Sequence, residues 1–114
     1  QVSPTAVRIP VFRSHSESLN IETEKPFEIE DIKNLLSKSP GVILMDDPVN
    51  SVYPLATEAE GRDEVFVGRV RRDTTAGNSL NIWVVADNLR KGAALNAVQI
   101  AETMYAQTLS KIVC

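Results

Sequence analysis

The sequence predicts an α+β fold, with a mixed, largely antiparallel sheet and helices packed on one face. Short β-rich segments alternate with segments of helical periodicity, and the β-rich segments at 64–72 and 80–86 are joined by a turn. The chain has 114 residues, of which 43% are hydrophobic and 24% charged. This composition is typical of one soluble unit with a packed core and is too apolar for a disordered segment.

Composition also excludes several classes of protein. Cys114 is the single cysteine, so neither an internal disulfide nor a thiolate metal cluster can form within the chain. The longest apolar runs, 42–45 and 82–86, are far shorter than the ~20 residues that cross a bilayer. A net charge of −3 argues against nucleic acid as a partner. The polar opening at Gln1 predicts no secretory signal, so a cytoplasmic location is expected. Because the first residue is not Met, we also expect the chain to be a piece of a longer one.

The first half of the chain predicts three strands and one helix. Residues 6–12 are rich in β-formers, with Pro10 marking an edge strand or a bend. Residues 16–24 alternate apolar and polar side chains, as a half-buried strand does. Residues 28–38 have one apolar face, acids in the first turn and a lysine in the last, which predicts an amphipathic helix. A short buried strand follows at 42–45.

The second half predicts a long loop, a hairpin and a final helix. Residues 48–63 lack periodicity and form the longest predicted irregular stretch. Strands at 64–72 and 80–86 are joined by a Thr-, Gly- and Asn-rich turn at 73–79, which favours antiparallel pairing. Residues 92–109 have helical spacing with alanines on the apolar face, so we expect this helix to approach its partner closely.

His15 is the one histidine of the chain, and it lies among small polar residues between two predicted strands. A lone histidine is commonly a surface residue, and that alternative stays open. Ser14 and Ser16 flank it without the glycine-flanked elbow of a serine hydrolase, so no serine triad is predicted. No metal-ligand spacing surrounds it either, so no metal site is expected.

Arg8 is a charged residue inside an apolar run, so it must find a partner or face solvent. On one unbroken strand, its odd separation of seven residues from His15 would place the two side chains on opposite faces. A bend or bulge at Pro10 would remove that constraint and bring the guanidinium and the imidazole to one cleft. Both alternatives remain open from the residues alone.

Three separated blocks of sequence resemble aspartate-semialdehyde dehydrogenase. They are Arg8-Ile-Pro-Val-Phe-Arg-Ser-His15-Ser-Glu, Asp63-Glu-Val-Phe-Val-Gly-Arg-Val-Arg-Arg-Asp73 and Trp83-Val-Val-Ala-Asp-Asn-Leu-Arg-Lys-Gly-Ala-Ala94. Their order and spacing match the C-terminal part of that enzyme over nearly the whole chain. The family's Gly-rich nucleotide-binding turn and its Asn-Cys nucleophile motif are not in this sequence.

The resemblance implies a reaction and two residue roles. Members of the family reductively dephosphorylate aspartyl phosphate to aspartate semialdehyde with NADP as cofactor, through a cysteine thioester, in lysine, threonine and methionine biosynthesis. Arg8 matches the arginine that grips the substrate carboxylate, a role suited to the planar guanidinium fork. His15 matches the general acid/base, a role open to an imidazole at neutral pH.

Other residues are assigned more loosely by the resemblance. Asn88 matches an amide-bearing position that contacts the cofactor, and the alternative is a cap for the helix that follows. Cys114 does not match the nucleophile and is interpreted as an incidental free thiol. The arginines at 69–72 are expected to stabilise loops or an interface rather than bind phosphate.

The resemblance also implies an organisation and partners. Residues 1–85 would be part of a catalytic and dimerisation domain, and residues 86–114 a C-terminal helical region that in relatives packs on the NADP-binding domain. The expected partners are the substrates, phosphate, a second subunit and the missing N-terminal segment, with no nucleic acid and no membrane. Two alternatives are a non-catalytic dimerisation or assembly module of the same family, and an unrelated acidic domain.

Overall fold

The structure, a computed structural model, describes residues 1–112 and contains one four-stranded sheet with helices on both sides. The elements in chain order are β1 (His15–Glu22), α1 (Ile29–Lys38), β2 (Val42–Leu44), α2 (Ala56–Ala59), β3 (Val65–Arg72), β4 (Ser79–Ala86), a π-helical turn (Arg90–Ala94) and α3 (Leu95–Ile112). The strand order is β1-β4-β3-β2. No helix in this described part is long and apolar enough to cross a bilayer.

Pairing within the sheet is mixed and largely antiparallel, which confirms the predicted α+β class. The helices are not confined to one face as expected, because α1 packs on one face and the short α2 on the other. β4 pairs antiparallel with β1 on one side and with β3 on the other. β2 pairs parallel with β3, with Val42 opposite Val65. A parallel pair needs a long crossover, and residues 45–64 provide it. This crossover is the stretch expected to be irregular, and it holds only the four-residue helix α2.

The sheet face beneath α1 carries the larger apolar cluster. Val67, Val70 and Leu80 are buried there. The apolar stripe of α1, together with Phe27, packs against them. This contact explains why 28–38 folds as predicted: an amphipathic helix of this length is stable mainly through the face it buries.

The opposite face is covered by the crossover at one end only. Ala59 of α2 packs there against Phe66 and Val85, and all three are buried. Gly68 lies directly under the crossover, since a Cβ at this position would come within 2.1 Å of the Met45 carbonyl oxygen. A side chain at residue 68 would therefore push the crossover off the sheet.

A bulge in β3 is held by a carboxylate from the crossover. The register with β4 shifts between Gly68 and Arg71, and Arg69 adopts a left-handed φ of 55°. Asp46 accepts a hydrogen bond from the Arg69 N–H at 2.7 Å and forms an ion pair with Lys33 at 2.9 Å. The hydrogen bond to Asp46 raises the pKa of Lys33. The bulge thus connects β3 to both the crossover and α1.

The predicted strand at 6–12 is wrong. Residues 1–13 form no strand, and most of their side chains are exposed. A strand requires a neighbour for its N–H and C=O groups, and the free edge of β1 has no partner among the described residues. Pro10 also removes one of the donors such a pairing would use.

The final helix is longer than predicted, and its apolar side chains are uncovered. Helical structure starts at Arg90 and continues to Ile112 instead of spanning 92–109. Val98, Ile100, Met104 and Tyr105 are each more than half exposed. The close approach to a partner predicted from the alanines is not found among the described residues.

Candidate functional site

His15 is the first residue of β1, at the end of the sheet where β4 finishes. It is paired with Ala86, two residues before Asn88. The His15 side chain is exposed and forms no hydrogen bond or ion pair with another described residue. Its backbone is held by the β1–β4 pairing on one side and by Ser14 on the other. An exposed imidazole on a fixed backbone can meet a ligand and exchange a proton with it.

Ser14 holds the chain immediately before His15. It is buried, with 4% of its surface exposed, and has a left-handed φ of 75°. Its hydroxyl donates to the Ala56 carbonyl oxygen at 3.0 Å, at the start of α2. Its N–H donates to the Asn88 side-chain oxygen at 2.8 Å. These bonds join the start of β1 to α2 and to the segment after β4.

Asp87 anchors the residue next to Asn88. Its side chain is fully buried and accepts from the N–H groups of Gly61, Leu89 and Arg90. The hydrogen bond from Gly61 is the largest cause that lowers the pKa of this carboxyl, and the bonds from Arg90 and Leu89 add to it. Asp87 is therefore ionised at neutral pH. It caps the helical segment, the role that one interpretation assigned to Asn88.

Asn88 is half-buried, and only one of its two side-chain polar atoms has a hydrogen-bond partner among the described residues. Its oxygen accepts from Ser14, as described above. Its Nδ2 makes no hydrogen bond with any residue in the described range. The residues around this point, 13–15, 56–61 and 87–90, are called the His15 junction below. His15 and Asn88, two of the three predicted site residues, both lie there and are linked through the backbone of Ser14.

Arg8 does not belong to the His15 junction. It is exposed within the irregular segment 1–13, and no hydrogen bond or ion pair joins it to the rest of the described chain. No regular strand relates it to His15, so the two residues are not placed on opposite faces of one strand. The chain between them is bent at Pro10 and at residues 12–13.

An open groove of about 510 Å³ lies on the sheet face opposite α1, beside the crossover. Ser16 and Ser18 of β1 line it, together with Arg69, Arg71 and Trp83. The indole N–H of Trp83 donates to the Pro54 carbonyl oxygen at 3.0 Å, which fixes one wall. The groove therefore combines hydroxyl, guanidinium and aromatic groups on an uncovered part of the sheet.

Of the arginines at 69–72, Arg69 and Arg72 contact loop residues, whereas Arg71 bonds within β3. Arg69 lies over the Tyr53 ring at 5.5 Å, and Arg71 donates to the Arg69 carbonyl oxygen. Arg72 donates to the Phe27 carbonyl oxygen and stacks on the Phe27 ring, 4.7 Å from its centroid. These contacts match the loop-stabilising role expected from the sequence. Among the described residues, no cluster of histidine, cysteine and carboxylate side chains could hold a metal ion.

Comparison with known families decides what kind of domain this is. Residues 1–91 match the family described as semialdehyde dehydrogenase, dimerisation domain. The chain belongs to this family. The match ends inside the π-helical turn, so it includes all four strands, His15 and Asn88.

Individual relatives support the same assignment. The chain is 56% identical over 109 residues to an aspartate-semialdehyde dehydrogenase of Aquifex aeolicus, covering 96% of this chain and 32% of the relative. It is 50% identical over 112 residues to that of Legionella pneumophila, covering 97% and 32%. The crystal structure of aspartate semialdehyde dehydrogenase II from Vibrio cholerae superposes with a TM-score of 0.79 at 43% identity, covering 87% of this chain and 29% of that one.

These matches confirm the resemblance drawn from three blocks of sequence. They also show that the chain spans about a third of the length of these relatives. Sequence reasoning missed Ser14 and Asp87 as parts of the site. Asp87 had a detectable signal, since an aspartate just before a helix is a common cap. Nothing local marks Ser14, because its partners are distant in sequence.

Proposed function

We propose that this chain is the C-terminal portion of an NADP-dependent aspartate-semialdehyde dehydrogenase, which reductively dephosphorylates aspartyl phosphate to aspartate semialdehyde. The observation that carries the proposal is the His15 junction. There the exposed side chain of His15 stands on a backbone that Asn88 holds through Ser14, within a domain of the semialdehyde dehydrogenase family. The cytoplasm, where amino-acid biosynthesis takes place, is the location that goes with this proposal.

His15 acts in this proposal as the general acid/base. An imidazole exchanges protons at neutral pH, and its exposure leaves it open to the reacting group. Arg8 binds the carboxylate of the substrate, for which a guanidinium offers two parallel donors. Its exposure and lack of partners leave all its donors available for that contact. The substrate itself would then bring Arg8 and His15 together.

Asn88 fits a contact with the nicotinamide carboxamide of NADP. Its Nδ2 is without a hydrogen-bond partner in the described chain, so it can donate to an amide oxygen. NADP, when bound, supplies the redox part of the reaction. The cysteine nucleophile and the Gly-rich nucleotide fold belong to a further segment of the enzyme in this proposal. Cys114, which does not match the nucleophile, lies outside the described residues.

The organisation of the enzyme follows the same proposal. Residues 1–85 form part of the catalytic and dimerisation domain, and the helical region 86–114 packs on the NADP-binding domain through the apolar side chains exposed on α3. The active species is a homodimer. The uncovered sheet face with its open groove is the surface this chain offers to a second subunit.

A non-catalytic dimerisation module is the second candidate function. It is favoured by the family description, which names dimerisation, and by the exposure of Arg8 away from the His15 junction. In this case the chain would bind a second copy without contributing to any reaction.

The test uses the complete protein that contains this chain and the 114-residue chain alone. With aspartate semialdehyde and phosphate, we expect the complete protein to reduce NADP and the isolated chain to reduce none, because the nucleophile and the nucleotide fold are outside it. NADP reduction by the isolated chain would contradict the proposal that the nucleophile and the nucleotide fold lie in another segment of the enzyme. A dimer without reductase activity in the complete protein would favour the module.

A further inference from the structure

Ser14 and Asn88 form a hydrogen bond that takes no direct part in the proton transfer proposed for His15. The two residues are 74 positions apart, and the bond joins the backbone N–H of Ser14 to the side-chain oxygen of Asn88 at 2.8 Å. It lies immediately before His15. Its effect on His15 is therefore through the backbone.

The backbone at Ser14 is held in a conformation that a serine does not readily adopt. Its φ of 75° is in the left-handed region, which is unfavourable for residues with a Cβ. Two hydrogen bonds and burial retain it there, the N–H bond to Asn88 and the hydroxyl bond to Ala56. Unusual backbone geometry that several contacts enforce is common where a side chain must be aimed at a ligand.

His15 depends on this geometry because the contacts of Ser14 are the buried ones on its N-terminal side, where Arg13 adds only a half-exposed ion pair with Glu60 at 3.8 Å. Its side chain has no hydrogen bond to the described residues, and the preceding segment 1–13 is irregular and exposed. If Ser14 relaxed to an ordinary φ, the chain would enter β1 from another direction. The imidazole would then point away from its present position.

Asn88 is itself well supported. Its neighbour Asp87 is fully buried and is bound to the N–H groups of Gly61, Leu89 and Arg90. A side chain that projects from such a fixed point can hold Ser14 in one place. A supporting residue needs this rigidity if it is to orient a reacting group.

We infer that Asn88, through Ser14, is a positioning residue that orients His15 for proton transfer. The inference rests on the proposed function, and it adds a role to Asn88 that is separate from contact with NADP. The oxygen of Asn88 orients the acid/base, while Nδ2 remains available to the cofactor. One side chain then links the alignment of His15 to cofactor binding.

The test compares two substitutions of Asn88 in the complete enzyme. Asn88→Ala removes both polar atoms, whereas Asn88→Asp retains an acceptor for the Ser14 N–H and loses the donor to NADP. We expect Asn88→Ala to lower kcat about 10- to 100-fold and to change the pH profile of kcat. Asn88→Asp should recover most of the kcat and still show a raised KM for NADP. Asn34→Ala, at an exposed position on α1, is the matched control.

Ser14 provides a second, independent measurement that does not involve the cofactor. Ser14→Ala keeps the N–H but removes the hydroxyl bond to Ala56, so kcat should fall several-fold with KM for NADP unchanged. The double variant with Asn88→Ala should be no slower than Asn88→Ala alone, since both changes release the same backbone. Thermal melting identifies any variant that unfolds. If Ser14→Ala unfolds, Ser14→Gly replaces it, because glycine also lacks the hydroxyl but tolerates the positive φ.

Three results would overturn the inference. The first is equal loss in Asn88→Ala and Asn88→Asp confined to KM for NADP, which indicates cofactor contact only. The second is an unchanged pH profile and kcat in Asn88→Ala while His15→Ala is inactive. The third is full turnover by His15→Ala, which contradicts the proposed function itself and with it any positioning of His15.

Discussion

His15 and Arg8 are seven residues apart, and they differ in how firmly the rest of the chain holds them. His15 begins a paired strand and follows a buried serine with two long-range hydrogen bonds. Arg8 lies in an exposed segment that forms no strand, and its side chain has no hydrogen-bond partner in the described chain. The difference indicates that this chain alone holds the backbone of His15, the proposed acid/base. Arg8, proposed to bind the substrate, would need the substrate or another segment to position it.

Removal of the His15 imidazole should have the largest effect, and this effect should be on kcat. We expect His15→Ala in the complete enzyme to lower kcat by about 10²- to 10⁴-fold, because general acid/base catalysis contributes this much. Steady-state kinetics across pH measures it. Glu17→Gln, two residues along the same strand and also exposed, is the control and should retain kcat. Near-normal turnover of His15→Ala would show that the junction holds a structural histidine.

Substitution of the arginine should act on binding instead. Arg8→Leu removes a charge-assisted, two-donor contact, so KM for aspartate semialdehyde should rise about 10- to 100-fold with a smaller change in kcat. Arg8→Lys keeps the charge but not the planar fork, and we expect an intermediate KM. A KM unchanged in both variants would remove Arg8 from the substrate site.

The next prediction concerns the packing that supports the junction. Gly68→Ala places a Cβ 2.1 Å from the Met45 carbonyl oxygen and 2.6 Å from Pro54, so the crossover that carries Ala56 must shift. We expect a loss of about 3 kcal/mol in the free energy of unfolding, measured with urea. Gly77→Ala, with nothing within 4 Å of its added Cβ, should change it by less than about 0.5 kcal/mol. Equal urea midpoints for the two variants would contradict the tight contact at Gly68.

The smallest expected effect is the pH dependence that Asp87 contributes. Its pKa in the folded chain is below the ordinary 3.8, so its carboxylate stabilises the fold above about pH 4 and loses this effect as the pH falls further. Asp87→Asn should therefore lower the urea midpoint at pH 7 and reduce the loss of stability between pH 5 and pH 3. Glu24→Gln, at an exposed position after β1, is the control. If Asp87→Asn loses as much stability between pH 5 and pH 3 as the unchanged protein, the pH dependence belongs to other carboxylates.

Several elements could be predicted from the sequence because their signals are local. The helix α1 and the β3–β4 hairpin have the periodicity of a face that packs on the core, and the structure confirms both. The strand β1 is confirmed as a strand, although most of its side chains are exposed. The strand predicted at 6–12 was wrong for the converse reason. β-formers describe what a strand can contain, but only a neighbouring strand provides the hydrogen bonds that make one.

The sequence by itself determined the fold class, most of the elements and the membership of a dehydrogenase family. It also singled out His15, Arg8 and Asn88. Only the tertiary structure decided that His15 and Asn88 meet through Ser14, that Asp87 caps the helix, and that Arg8 stays apart. The physical reason is distance along the chain. A hydrogen bond between residues 74 positions apart depends on the register of β1 with β4, which no local pattern specifies.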